Sequence, residues 1–463
     1  MANGPTVLVM AAGEGTRMRS SVPKVLHPVC GRPMVAWVVL AAKGAGAGRV
    51  GVIVSPHHDI DAALPEGTET VVQPQPDGTG GAVRAALELV QGAETVLVLP
   101  GDHVLISSEA LTRLIETHRE AGAAATLVTT EMEDPGSYGR IVRDEAGDVE
   151  RIVETKSPGD ATPDQLAIKE VSAAIFAFDG PALTDALAKI GNDNAQGEYY
   201  LGDVLPILRS AGLRVAAHRE TGTHINLGIN TRADLAYVES EARALINDGH
   251  MLAGVTITDP RSCWIDADVA ISQDVTIEPG SSLRGATEIG PGSVVGPHTT
   301  LIDTKLGERV NVPHSYLIEC EVLNGCEIGP FAFIRPQTTL REGAKAGAFV
   351  EIKNSRIGEG TKVPHLSYVG DAEIGRGSNL GAGSITANYD GFRKHRTVIG
   401  DHCRIGVDTM FVAPIHIGDD AYTGAGSVIK DDVPDGALAV SQNEQRNIEG
   451  FAEQKAEESE EGS

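Results

Sequence analysis

Two stretches of the chain carry residues suited to chemistry. The first, MAAGEGTRMRSSVPK, covers Met10 to Lys24 and follows an apolar run that begins at Thr6. A strand that enters a glycine-rich turn offers backbone N–H groups to phosphate oxygens. This stretch fits neither common phosphate pattern. A dinucleotide fingerprint needs a third glycine where Met18 stands, and a Walker loop needs Gly-Lys-Ser/Thr. The second stretch, ITANYDGFRKHRTVIG, gathers Tyr389, Arg393, Lys394, His395 and Arg396 in a segment that interrupts a regular repeat. A loop thrown out of a repeat array reaches a ligand or a neighbouring subunit.

The elements that position these residues follow two different patterns. Up to about residue 230, the strand-like runs TVLVMAAG, RVGVIVS, ETVLVLPGD, AAATLVTT and VSAAIFAFD alternate with helix-like MVAWVVLAAKGA, TGGAVRAALELV and SEALTRLIETHREAG. Such alternation predicts an α/β domain with a largely parallel sheet. Ligands bind such sheets at the carboxyl ends of the strands, where the loops with Gly13, Gly15 and Asp102 converge. Over 231–250, Leu235, Val238, Ala242 and Leu245 share one helical face, with Ser240, Arg243 and Asn247 away from it, which predicts a connector helix.

Beyond the connector an aliphatic residue recurs every six positions. It does so at Ile265, Ile271, Ile277, Leu283, Ile289, Val295 and Leu301, from Ile328 to Ile352, and from Ile399 to Ile417. Glycine often follows it, as at Gly290, Gly296, Gly329, Gly400 and Gly418. A six-residue period predicts a parallel β-helix whose interior is a ladder of side chains. Its sites must then lie on outer faces or between subunits.

Composition narrows the partners. The chain has 463 residues, which points to two domains, and 41% hydrophobic residues, which excludes wholesale disorder. A formal charge of −26 argues against non-specific nucleic-acid binding, while local Arg and Lys still suffice for anionic substrates. No long uncharged apolar run is present to span a bilayer. The start, MANGPTVLVM, lacks a secretory signal, and five cysteines without a CxxC pair suit a cytoplasmic location. Cys320 and Cys326 read as buried thiols rather than metal ligands. The Glu-rich end, 448–463, reads as an acidic, solvated, disordered tail.

MAAGEGTRMRSSVPKVLH resembles the signature of sugar-nucleotide pyrophosphorylases, and QPDGTGGAV, PGDHVLI, SYGRIV, IVETK and NAQGEYYLGDV follow in that family's order. With VPHLSYVGDAEIG and NLGAGSITANYDG, the chain resembles the bacterial family that combines N-acetylglucosamine-1-phosphate uridyltransferase with glucosamine-1-phosphate acetyltransferase. The resemblance covers everything before the acidic tail. It implies a Rossmann-like nucleotidyltransferase domain with a mixed, mainly parallel sheet over 1–230, the connector over 231–250, and a left-handed parallel β-helix acetyltransferase domain over 251–447. It further implies a homotrimer that feeds cell-wall precursor synthesis.

For uridyl transfer, the resemblance implies attack of N-acetylglucosamine-1-phosphate on the α-phosphorus of UTP. Ala11, Ala12 and Gly13 lie in the phosphate cradle, with Arg17 and Lys24 neutralising charge. Gln73, Gly78 and Thr79 match the uracil-reading positions, and a carboxamide supplies both a donor and an acceptor to that base. Asp102 and Asn230 match the Mg2+ ligands, although Asn230 also reads as a helix cap. Gly139, Glu154 and Ser172 map around the sugar; Glu154 also reads as half of a surface pair with Lys156.

For acetyl transfer from acetyl-CoA to glucosamine-1-phosphate, His365 matches the catalytic base, a natural type for deprotonating an amine near neutral pH. Arg335, Lys353, Tyr368 and Asn379 match sugar-phosphate positions. Ala382, Asn388, Tyr389, Val407 and Ala425 match the acetyl-CoA side, with Lys394 in the inserted loop. The chain departs from the family pattern at several places: Ser172 replaces Asn, Ala174 replaces Gly, Gly81 replaces His, Val407 replaces Ser and Gln442 replaces Arg, while DHVL replaces Asp-x-Pro-Leu. Two rival readings fit the same sequence. One is a single-activity sugar-1-phosphate nucleotidyltransferase whose β-helix serves only assembly or regulation, and the other is a scaffold or sugar-nucleotide-binding protein that has lost its chemistry.

Overall fold

The computed structural model describes residues 4–136, 138–155, 160–194, 196–221, 224–441, 445 and 447–455. Lys156, Gln442 and the last part of the acidic tail lie outside these. The chain divides into two compact units between Leu245 and Ile246.

The first unit is built on one sheet. Its main path runs Val215–Arg219, Ala125–Glu131, Glu170–Asp179, Thr95–Pro100, Thr6–Met10, Arg49–Val54 and Glu69–Val72. Glu170–Asp179 is antiparallel to both neighbours, and the other pairings along this path are parallel. The sheet is therefore mixed. Central strands such as Thr6–Met10 and Thr95–Pro100 are buried almost throughout, which explains why they read as continuous apolar runs. The helix-like run TGGAVRAALELV is broken at Ala86 into Thr79–Ala85 and Leu87–Val90.

Three parallel strands deliver their following loops to one place. Ala11 N–H donates to the Ile53 carbonyl (2.8 Å), Gln73 N–H to the Val54 carbonyl (2.9 Å) and Gly101 N–H to the Met10 carbonyl (2.9 Å). A Cβ at position 101 would lie 2.8 Å from the Met10 carbonyl oxygen, so only glycine permits this approach.

The helix Arg232–Leu252 follows. Val238 and Ala242 are buried as the stripe predicts, but Leu245 is exposed and Asn247 is buried. Asn247 faces inward because its amide donates to the carbonyls of Pro260 (2.9 Å) and Cys263 (3.4 Å).

The second unit contains three all-parallel ladders of short strands. Up to Lys362–His365 each coil contributes one strand to each ladder, after which one ladder continues as single bridges, and Ile265, Leu283, Leu301, Leu317, Ile334, Ile352 and Val369 stack in one column. The period lost between Leu301 and Ile328 hides no inserted loop. Leu301 pairs with Leu317 after sixteen residues rather than eighteen, so the coils tighten while the ladder continues. Between Ile374 and Ile399 the step lengthens to twenty-five residues, and the surplus is the basic loop. The interior is chiefly aliphatic, with fully buried Ser and Thr such as Ser281, Thr287 and Thr304 among the aliphatic columns, and it includes Cys320 and Cys326 as buried thiols, pushed up by burial to about 12 and about 11.

Candidate functional sites

In the first unit the glycine-rich turn closes on Lys24. Gly15 adopts φ 60°, and a Cβ there would sit 2.6 Å from Lys24 Cβ. Met18, which stands in place of the missing third glycine, is buried in the short Thr16–Met18 turn and anchors it. Lys24 Nζ then donates to Asp102 Oδ2 (2.5 Å) and Asn230 Oδ1 (3.3 Å), while Arg17 Nη2 donates to the same Asn230 oxygen (2.9 Å). Four residues separated by up to 213 positions thus meet at one point.

Asn230 does not cap the following helix. Thr231 does: its Oγ1 accepts from Asp234 N–H (3.1 Å), and Asp234 Oδ2 accepts from Thr231 N–H (2.8 Å) and Asn230 N–H (3.0 Å). The Asn230 carboxamide is left to face the site, held from behind by Asp234. Thr231 and Asp234 form a readable capping pattern that sequence reasoning passed over.

Burial works to raise the Asp102 carboxyl, but the charges of His103 and Lys24 and the Lys24 hydrogen bond outweigh it, so the group sits below the ordinary range. Burial lowers the His103 imidazole despite the opposing charge of Asp102. One carboxylate oxygen and one amide oxygen converging on a common cation form a hard, all-oxygen set.

Gln73 is buried beside this point, and its amide donates to Asp77 Oδ1 (2.7 Å) and the Gly78 carbonyl (3.2 Å). The segment Glu198–Leu201 backs this turn. Tyr199 N–H donates to the Asp77 carbonyl (2.8 Å), Gly80 N–H to the Tyr199 carbonyl (2.7 Å) and Leu201 N–H to Thr79 Oγ1 (3.0 Å).

Around the expected sugar position, Ser172 N–H donates to the Gly139 carbonyl (2.9 Å). The Ser172 hydroxyl is buried and accepts from Ala174 N–H (3.1 Å) inside a bulge in which Ala174 takes φ 56°. Tyr138, which precedes Gly139, donates its hydroxyl to the Asn226 carbonyl (2.5 Å). Glu154 is half-buried, and burial followed by the Glu154 charge raises the Asp203 carboxyl. Tyr138 and Asp203 lie inside the motifs SYGRIV and NAQGEYYLGDV without standing out as site residues, and Asn226 carries no motif.

In the second unit, pairing runs Lys362, Asn379, Arg404, Tyr422 on successive coils. His365, Ala382, Val407 and Ala425 each lie three residues after these, so they occupy the same place on four consecutive coils. His365 and Val407 are exposed. On the adjoining ladder, Phe333, Glu351 and Tyr368 form one row, while Lys353 pairs with Gly370. Arg335 Nη1 donates to Glu351 Oε1 (2.7 Å).

A buried carboxylate ties the inserted loop to this face. Asp371 accepts from Asn354 Nδ2 (2.5 Å) and Asn388 Nδ2 (2.5 Å). The loop closes on itself through Asp390, which accepts from Phe392 N–H (2.7 Å), Arg393 N–H (2.6 Å) and the His395 ring (2.6 Å). These bonds, chiefly Arg393 N–H and the His395 ring, hold Asp390 down to about 2. The closed loop places Lys394 against Lys353, whose ammonium is lowered mainly by that contact. Asp371 and Asp390 are central here; both lie inside the stretches VPHLSYVGDAEIG and NLGAGSITANYDG, but neither is among the expected site residues.

The family described as MobA-like NTP transferase domain matches residues 7–166, and the bacterial transferase hexapeptide family (six repeats) matches 396–431. The second unit is accordingly a left-handed parallel β-helix. Curated relatives called "Bifunctional protein GlmU" align along nearly the whole chain. The one from Streptomyces avermitilis is 49% identical over 97% of this chain and 94% of its own. That from Kineococcus radiotolerans is 48% identical over 96% and 91%, and that from Mycobacterium tuberculosis is 47% identical over 97% and 92%. The chain belongs to the bifunctional GlmU family, enzymes that acetylate glucosamine-1-phosphate and then transfer uridylate to make UDP-N-acetylglucosamine.

Proposed function

We propose that the two reactions divide between the two units, with 1–230 transferring uridylate, 231–250 connecting, 251–447 transferring acetyl and 448–463 forming a tail. The observation that carries the first assignment is the convergence of Arg17, Lys24, Asp102 and Asn230 at the carboxyl ends of the strands. There the backbone of Ala11, Ala12 and Gly13 lines the triphosphate. Arg17 and Lys24 balance its charge while a sugar-phosphate oxygen attacks the α-phosphorus in line and pyrophosphate departs. Asp102 and Asn230 hold Mg2+, whose charge, when bound, stabilises the transferring phosphoryl group. Gln73, Gly78 and Thr79 take the uracil, and Gly139, Glu154 and Ser172 take the sugar.

In the second unit Arg335, Lys353 and Lys394 form a cationic patch beside Tyr368 and Asn379 for the sugar phosphate. His365 takes a proton from the substrate amine as its nitrogen bonds the thioester carbon; the C–S bond breaks and coenzyme A leaves as the thiol. The line Ala382, Val407, Ala425 gives acetyl-CoA a track of small and apolar side chains leading away from His365, flanked by Asn388 and Tyr389.

The working form is a homotrimer in the cytoplasm. A strip of aromatic rings supports this assembly: His298, His314, Phe331 and Phe349 follow one another at 5.6, 5.6 and 5.3 Å between ring centroids. Phe331, Phe349 and Leu366 are exposed, and the strip ends next to His365. Packing three copies along this strip buries it and adds a partner surface to each acetyl site.

A coupled assay with glucosamine-1-phosphate, acetyl-CoA, UTP and Mg2+, omitting each in turn, tests the scheme. Thiol release independent of UTP and Mg2+, with pyrophosphate release that needs both, is expected. Thiol release that depends on Mg2+ would overturn the division.

A further inference from the structure

The turn Gln73–Gly81 contains a contact that uridyl transfer as described does not use. The Gln73 side-chain nitrogen lies 2.7 Å from Asp77 Oδ1 and 3.2 Å from the Gly78 carbonyl oxygen. Both partners only accept hydrogen bonds, so the Gln73 NH2 must be the group between them. A flipped amide would set Oε1 against two oxygens. Both donors are therefore spent inside the protein, and Oε1 is the group left to offer.

Asp77 can take this position because position 81 is glycine. A Cβ on Gly81 would lie 1.9 Å from Asp77 Oδ1 and 2.3 Å from its carboxyl carbon. The Asp77 backbone is fixed separately by the Tyr199 N–H bond to its carbonyl (2.8 Å).

We propose that Asp77, given room by Gly81, is a positioning residue for base selection. It locks the Gln73 carboxamide with its oxygen outward, as an acceptor for the N3–H of a uracil ring and a repellent for cytosine, whose N3 is itself an acceptor. This rests on Gln73 reading the base. A carboxamide free to rotate would serve either ring by turning over; one pinned by a carboxylate serves only the donor edge.

The test uses the full-length protein, with acetyl transfer as the measure of intact enzyme concentration and a thermal melt as the measure of folding. The ratio of kcat/KM for UTP over CTP is the readout, and loss of one orienting bond corresponds to a fall of about tenfold. Asp77→Ala should lower the ratio by about that factor, mainly through a higher KM for UTP with kcat little changed. Gly81→Ala, which expels the carboxylate without removing it, should do the same. Asp77→Asn can still present an oxygen to the Gln73 NH2 and should keep the ratio near the parent value. A folded Asp77→Ala enzyme with the parent ratio overturns the proposal. Gln73→Ala separates the two layers: if it collapses the ratio while Asp77→Ala does not, Gln73 reads the base without Asp77. If neither variant changes the ratio, the uracil assignment of Gln73 itself fails.

Discussion

Lys353, on a strand of the β-helix, has its ammonium lowered chiefly by Lys394 of the loop that interrupts the helix. Like charges held together this way favour an anion between them, and Arg335 adds a third positive charge nearby. Because the Lys394 contact lowers Lys353, Lys353 loses its proton at a lower pH than an ordinary lysine. The KM for glucosamine-1-phosphate should therefore rise with increasing pH earlier than a normal lysine would dictate. Lys394→Met removes the contact, so it should raise KM by about fivefold to tenfold at neutral pH and move the alkaline limb to higher pH. Initial rates from pH 7 to 10 check both effects, and an unmoved alkaline limb would count against the coupling.

Lys24→Met and Asp102→Asn each break the cluster at the carboxyl ends of the strands. Each should cut uridyl transfer on the order of a hundredfold to a thousandfold, while thiol release from acetyl-CoA stays near the parent rate. For Asp102→Asn, the Mg2+ concentration giving half-maximal rate should rise as well. An unchanged Mg2+ dependence would remove Asp102 from the metal site.

His365→Ala should lower acetyl transfer by about a hundredfold to ten-thousandfold, with pyrophosphate release from UTP and N-acetylglucosamine-1-phosphate unaffected. Loss of both activities in a folded trimer would mean that the units depend on each other more closely than proposed.

Ala174 sits at φ 56° in the bulge of the antiparallel strand, where an L-residue other than glycine is strained. Ala174→Gly relieves the strain at the cost of a freer unfolded chain, and should stabilise the protein by about 1 kcal/mol. Urea unfolding followed in the first unit checks this; destabilisation would mean the Ala174 methyl packs productively.

The repeat was legible because burying one aliphatic side chain per short strand imposes a period that sequence displays directly. Where the coil tightens, as from Leu301 to Leu317, the period slips although the pairing does not, so the six-residue count is interrupted until Ile328. The antiparallel direction of Glu170–Asp179 was hidden because a fully buried strand looks the same in either direction. Asn247 read as a polar, outward position because its inward partners are the backbone carbonyls of Pro260 and Cys263, which have no signature. The residues expected to bind phosphate and metal stood out through local motifs. The roles of those that hold them in place did not: Asp77 and Asp371 sit inside the motifs, but their contacts with Gln73 and with Asn354 and Asn388 arise only in the folded chain, while Asp234 behind Asn230 was readable as part of a helix cap and not as a support for the site.

With the donor lying as proposed along the line from His365 through Ala382 and Val407 to Ala425, the β-helix acts as a ruler. Neighbouring coils are about 4.8 Å apart, so the line spans roughly 14 Å in three fixed steps. A length of donor molecule can therefore be matched or refused only in whole increments. Adding or removing one complete coil below His365 would change which thioester fits while every strand kept a partner, so donor length and fold stability can vary independently.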